Sequence, residues 1–165
     1  MKKAIVLGLL LIISVVGTAS AGGSSDKATG SGMWTNQSGV VQTVDFNAHE
    51  PKDNRPAKGD LYQAEVNGAF SFRVDVDYVE VYETFACFGG EVIEASGSFA
   101  QYLGQYRWTV VVDGGEGLGA EDYLRGLVVS TGTPPPPWWC TGGNTANNEA
   151  FSGGNVQIHF GGSYE

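Results

Sequence analysis

The feature that most constrains the fold is a two-residue alternation of apolar and polar side chains, repeated in short runs separated by glycine-rich turns. Side chains that face one way at every second position mark a strand with one buried face. The cleanest instance is Tyr106 to Asp113. There Tyr106, Trp108, Val110 and Val112 form a fully apolar face, and Arg107, Thr109, Val111 and Asp113 a mixed one. Nothing after residue 21 sustains the 3.6-residue period of an amphipathic helix.

Seven more runs read the same way: Val40 to Phe46, Asp60 to Val66, Ala69 to Val76, Val79 to Phe88, Gly90 to Phe99, Tyr123 to Thr131 and Asn155 to Phe160. Asn67-Gly68 predicts a two-residue hairpin between the second and third of these, because both residues tolerate the positive φ such a turn needs. Phe70, Phe72, Val74 and Val76 are even-numbered, whereas Val79, Val81 and Phe85 are odd. The phase therefore slips near Asp77-Tyr78, which predicts a turn or a β-bulge there. Eight short strands predict an all-β antiparallel meander, an eight-stranded barrel, with a β-sandwich as the alternative.

Residues 1–21 have the three parts of a secretory signal: Lys2-Lys3, the apolar run Ala4 to Val16, and Ala19-x-Ala21 before the expected cleavage point. That run is shorter than the roughly 20 residues a membrane span requires. The expected product is secreted, extracellular or periplasmic, with no membrane span after processing. Residues 22–39, mostly Gly, Ser, Thr, Asn and Ala, are expected to be a flexible leader, and 40–165 a single all-β domain that acts as a monomer.

Cleavage removes Lys2 and Lys3, so the nine Lys and Arg residues fall to seven against 18 acidic ones, a net charge of −11. The seven are spread along the sequence, which argues against nucleic acid and anionic membranes as partners. Cys87 and Cys140 are the only cysteines, and in an exported chain they predict an intrachain disulfide.

Two stretches invite a site. The turn Asp113 to Asp122 is rich in glycine and acid, and Asp113, Glu116, Glu121 and Asp122 are candidate ligands for calcium, the one cofactor the sequence suggests. The spacing is not that of an EF-hand, and turn chemistry alone also accounts for it. Pro134 to Pro137 form a stiff segment that delivers Trp138 and Trp139 beside Cys140. These tryptophans are either a surface for stacking on a sugar or partner, or a plug over one end of the core. His49 and His159 belong to no metal or nucleophile motif, and Asp75, Asp77, Glu80 and Glu83 read as the solvated face of a strand rather than a catalytic pair.

Four segments resemble a known family. Gly153-Gly154-Asn155-Val156-Gln157-Ile158-His159 resembles the closing segment of post-COAP-type domains of secreted prokaryotic proteins, and Val44-Asp45-Phe46-Asn47-Ala48 their opening strand. Lys58-Gly59-Asp60-Leu61-Tyr62 resembles a second strand, with Asp60 where the family tends to have His, and Val111 to Gly117 with Asp122 an internal acidic turn. The resemblance implies a secreted all-β domain without an established activity, and it brings no catalytic residues. The expected function is a non-catalytic binding or cell-surface accessory domain whose partner is an unidentified ligand or envelope component. The alternatives are a calycin-like carrier of a small apolar ligand and a secreted hydrolase that uses carboxylates or a bound cation.

Overall fold

The computed structural model describes residues 26–36, 38–115, 121–129, 137–140 and 149–161. The expected signal peptide, 1–21, lies outside these residues. Nine strands are described: β1 Lys27–Thr35, β2 Val41–His49, β3 Lys58–Glu65, β4 Phe70–Val81, β5 Phe85–Gly97, β6 Tyr106–Val112, β7 Tyr123–Val129, β8 Glu149–Ala150 and β9 Gly153–His159. A 3-10 turn, Ala100–Tyr102, follows β5, and one helical turn, α1, spans Pro137–Cys140.

All pairings are antiparallel, in a single strongly curled half-barrel sheet ordered β8-β7-β6-β5-β4-β3-β2-β1-β9. β8 and β9 are nearly continuous in sequence yet lie at opposite edges. Their junction shows how far the sheet curls, since Phe151 N–H bonds the Asp122 carbonyl at one edge (2.9 Å) and Ser152 N–H the Met33 carbonyl at the other (2.7 Å).

The concave face carries the core. Val44 and Phe46 of β2, Leu61 of β3, Phe72 and Val74 of β4 and Phe88 and Val92 of β5 are buried there, and the Phe46 and Phe88 rings stack at 5.4 Å across the curl. The expected phase slip in β4 is a bulge. Val76 pairs Gly90 while Tyr78 pairs Gly89, so Asp77 is the extra residue and Val79 and Val81 return to the core.

Four expectations need correction. Residues 27–35 of the expected leader are a strand, and the described residues form nine strands where eight were expected. β1 lacks an apolar stripe because glycines occupy its inner face between Ala28 and Trp34. A Cβ at Gly30 would lie 2.7 Å from Phe46 Cζ, and one at Gly32 2.9 Å from Phe151 Cγ, so large neighbouring rings fill the space that β1 leaves. The run from 79 to 99 breaks at Tyr82–Thr84, where Tyr82 N–H bonds the Phe85 carbonyl, and not at Gly89-Gly90. The β3–β4 connection is longer than two residues. Gly68 N–H bonds the Glu65 carbonyl and only Gly68 takes positive φ, because the Asn67 side chain accepts from Ala69 N–H instead.

The fourth correction concerns β6. Its fully apolar set faces out: Val110 and Val112 pack with Cys87, Cys140, Phe85 and Trp139 on the convex side, and Trp108 covers Gly89 with Tyr78 edge-on to its ring. The mixed set faces in. Val111 joins the core, and Thr109 and Arg107 are buried beside it. Both faces of β6 are covered, so the more apolar one did not have to be the core.

Candidate ligand-binding site

Arg107 lies at the inner end of β6, paired in register with Gly90 of β5 and Val128 of β7. It is 8% exposed. Three neighbours fix its guanidinium. Nη2 donates to Gln63 Oε1 (3.0 Å), the group lies over the Phe72 ring (5.1 Å to the centroid), and it crosses Gly126 so closely that a Cβ there would sit 2.8 Å from Nε. Gln63 in turn donates through Nε2 to Gln42 Oε1 (2.7 Å), which orients the amide with its oxygen toward Arg107.

Arg107, Gln63, Gln42 and Gly126 line a cavity of about 480 Å³ at the end of the concave face that carries the β1–β2 turn, the β3–β4 turn and the 3-10 turn. Trp34, Phe70 and Phe99 supply its aromatic wall, and Glu149 of β8 its carboxylate. Phe99 stacks on Phe70 (4.7 Å) and Phe72 (4.5 Å), which closes the cavity off from the packed core below. The volume is within the range of small-molecule sites.

The charge balance is unusual for a core. Among the described residues no carboxylate lies within ion-pair distance of Arg107, the two ion pairs being Arg55–Asp53 and Arg73–Asp60. Burial pushes the Arg107 pKa down to about 10, and Glu149 pulls it back up. The group is therefore still cationic at neutral pH. Two buried N–H donors of lining residues, Arg107 Nε and Trp34 Nε1, have no hydrogen-bond partner among the described residues.

The acidic turn is bonded to the last strand. Asp122 accepts from Gly114 N–H (3.0 Å) through Oδ1 and from Val156 N–H (2.6 Å) through Oδ2. Asp113 accepts from Gly115 N–H (2.8 Å) and Ile158 N–H (3.2 Å) in the same way. Each carboxylate thus ties its own turn to β9, along the edge of β9 that faces away from β1. Glu121 accepts from the Tyr123 hydroxyl (2.8 Å), and Glu116 lies outside the described residues. No group of three or more metal-ligating side chains occurs among the described residues.

Cys87 and Cys140 form a disulfide, with Cα atoms 5.4 Å apart. Trp139 packs half-buried beside it, its ring under the Arg125 guanidinium (4.8 Å) and its carbonyl accepting from Arg125 Nη2. The expected plug over the end of the core is thus, for Trp139, a cover on the convex face of β5, β6 and β7. Trp138 lies in α1, but its side chain is outside the described ones. Asp75 and Asp77 are exposed, as expected of a solvated strand face.

Two of the basic residues, Lys27 and Lys58, lie closer together than their sequence positions suggest. β-sheet register aligns His159, Lys27, His49 and Lys58 across four neighbouring strands. Burial first, then Lys27 and Lys58, hold the His49 pKa below its usual value.

The chamber is hidden in the sequence, since Trp34 falls in the expected leader and Arg107 on the mixed face of its strand. One signal was available: Gln42 stands in phase with Val44 and Phe46, a polar residue at a core-facing position. The chain matches no protein-family model, no curated protein and no solved structure.

Proposed function

We propose that this chain is a secreted, non-catalytic binding domain that holds a small ligand in the chamber beside Arg107. The observation that carries the reading is a contrast within one concave face. Most of it is filled by interlocking rings, while one end keeps an open cavity of about 480 Å³ with a buried, held cation. Burying a charge without a counter-charge is costly, so its retention at an open cavity favours a ligand role over a packing role.

The disulfide supports the export part of the reading, because such bonds persist in oxidising compartments. Among the described residues no helix is long and apolar enough to cross a membrane. Two of the segments that resemble post-COAP-type domains, Val111 to Gly117 with Asp122 and Gly153 to His159, are bonded to each other through the Asp113 and Asp122 carboxylates. A carrier of a wholly apolar ligand has less support, since Arg107, Gln42, Gln63 and Glu149 line the cavity. A carboxylate-pair hydrolase has less still, since among the described residues Glu149 is the one carboxylate in that lining.

The test is native mass spectrometry of the protein taken from the medium or periplasm of its producer. The expected spectrum shows a chain beginning at Gly22, lighter by two hydrogens than its reduced form, with a small molecule released on denaturation. Bare protein that also takes up nothing from a panel of acids, amides and alcohols would refute the reading.

A further inference from the structure

Resting on that binding role, we infer that the chamber recognises a small organic monocarboxylate, with the carboxylate on Arg107 and an aryl or short alkyl body against Trp34, Phe70 and Phe99.

Arg107 Nε and Trp34 Nε1 are both N–H donors, both buried, and both without an acceptor among the described residues. A ligand that complements them must be rich in acceptors. A carboxylate has only acceptors, about four lone-pair directions over two oxygens, and it meets a guanidinium in a planar fork. An amide of the same shape replaces one of those oxygens with a donor that would face other donors. The guanidinium is also already held by Gln63, Phe72 and Gly126, so little of its rotamer freedom remains to be lost on binding.

The rest of the lining narrows the class. Three aromatic rings form the wall, which an inorganic anion would leave facing water. Two cations, Arg107 and Arg125, stand against one carboxylate, Glu149, in the lining of the same cavity, so a single negative charge completes the balance. That disfavours dianions such as phosphate esters and leaves a monoanion with an apolar body as the best fit.

The experiment is calorimetric titration of the intact, disulfide-bonded protein with 3-phenylpropanoate and hexanoate, each beside its own amide. The expected result is at least ten-fold tighter binding of the acid than of the amide. Arg107→Gln should abolish that preference. Gly126→Ala should also reduce it, because the added methyl displaces the guanidinium without changing the charge, and this variant decides the matter if Arg107→Gln fails to fold. Equal binding of acid and amide, or a preference that survives Gly126→Ala together with Arg107→Gln, would overturn the carboxylate inference and leave a ligand-binding chamber. No binding of any acid or amide, with bare protein from the producer, would overturn both.

Discussion

Asp122→Ala gives the sharpest test of how the last strand is held. The Asp122 carboxylate accepts two backbone N–H groups, one from Gly114 in its own turn and one from Val156 in β9. Hydrogen bonds to a charged acceptor contribute about 1.5 to 3 kcal/mol each. Val156 is 1% exposed, so its N–H gains little water when the carboxylate goes. The turn can solvate Gly114, which is exposed, and this puts that bond at the low end. The expected loss is about 3 kcal/mol, or a fall in Tm of roughly 10 °C for a domain of this size. Urea denaturation gives the free energy, and amide hydrogen exchange gives the location: Val156 should lose protection while Ile158, held by Asp113, keeps most of its own. Asp122→Asn, which keeps one acceptor oxygen, should cost about half as much. A variant within about 0.5 kcal/mol of the parent, with Val156 still slow to exchange, would show that pairing with β1 alone secures β9 and would refute the reasoning.

Three other outcomes are expected. Replacing Cys87 and Cys140 together by Ala opens a closure of 53 residues and should cost about 4 kcal/mol in the chain-entropy model, measured by urea denaturation against the oxidised parent. Trp139→Ala removes a half-buried ring and its cation–π contact with Arg125, and should cost about 2 kcal/mol in the same assay, whereas an unchanged melt with lost adhesion to glycan or cell wall would restore the surface-platform reading. Glu50 accepts from Val81 N–H, and burial above all raises its pKa from the usual 4.5. The folded state thus holds this proton more tightly than the unfolded one, so stability falls as pH rises from about 4.5 through the folded-state pKa. Glu50→Gln keeps the acceptor and removes the titration, and its stability curve should lack that decline.

Much of the fold was legible because alternation is a local property. β2, β3 and the first half of β4 follow from it, and the Asp77 bulge follows from its interruption, since a core face must be regained once the phase slips. The cysteine pair was legible from compartment and count. β1 was not, because its inner face is built from glycines whose role exists only when the Phe46 and Phe151 rings are present to fill the gap. The acidic turn was visible as a cluster of carboxylates, but its task depends on β9, more than thirty residues away, bringing unpaired N–H groups to it.

By itself, then, the sequence determined an antiparallel all-β chain, the positions of most strands and which cysteines could pair, since each rests on neighbours within a few residues or on a count of two. The tertiary structure alone decided which face of β6 became the interior. Local pattern ranks two faces by polarity, but it does not register that α1 and the disulfide cover the more apolar one from outside. Once they do, Arg107 is left pointing inward, and the same long-range packing that put it there brings Gln63, Phe72 and Gly126 from three other strands to hold it at the open end.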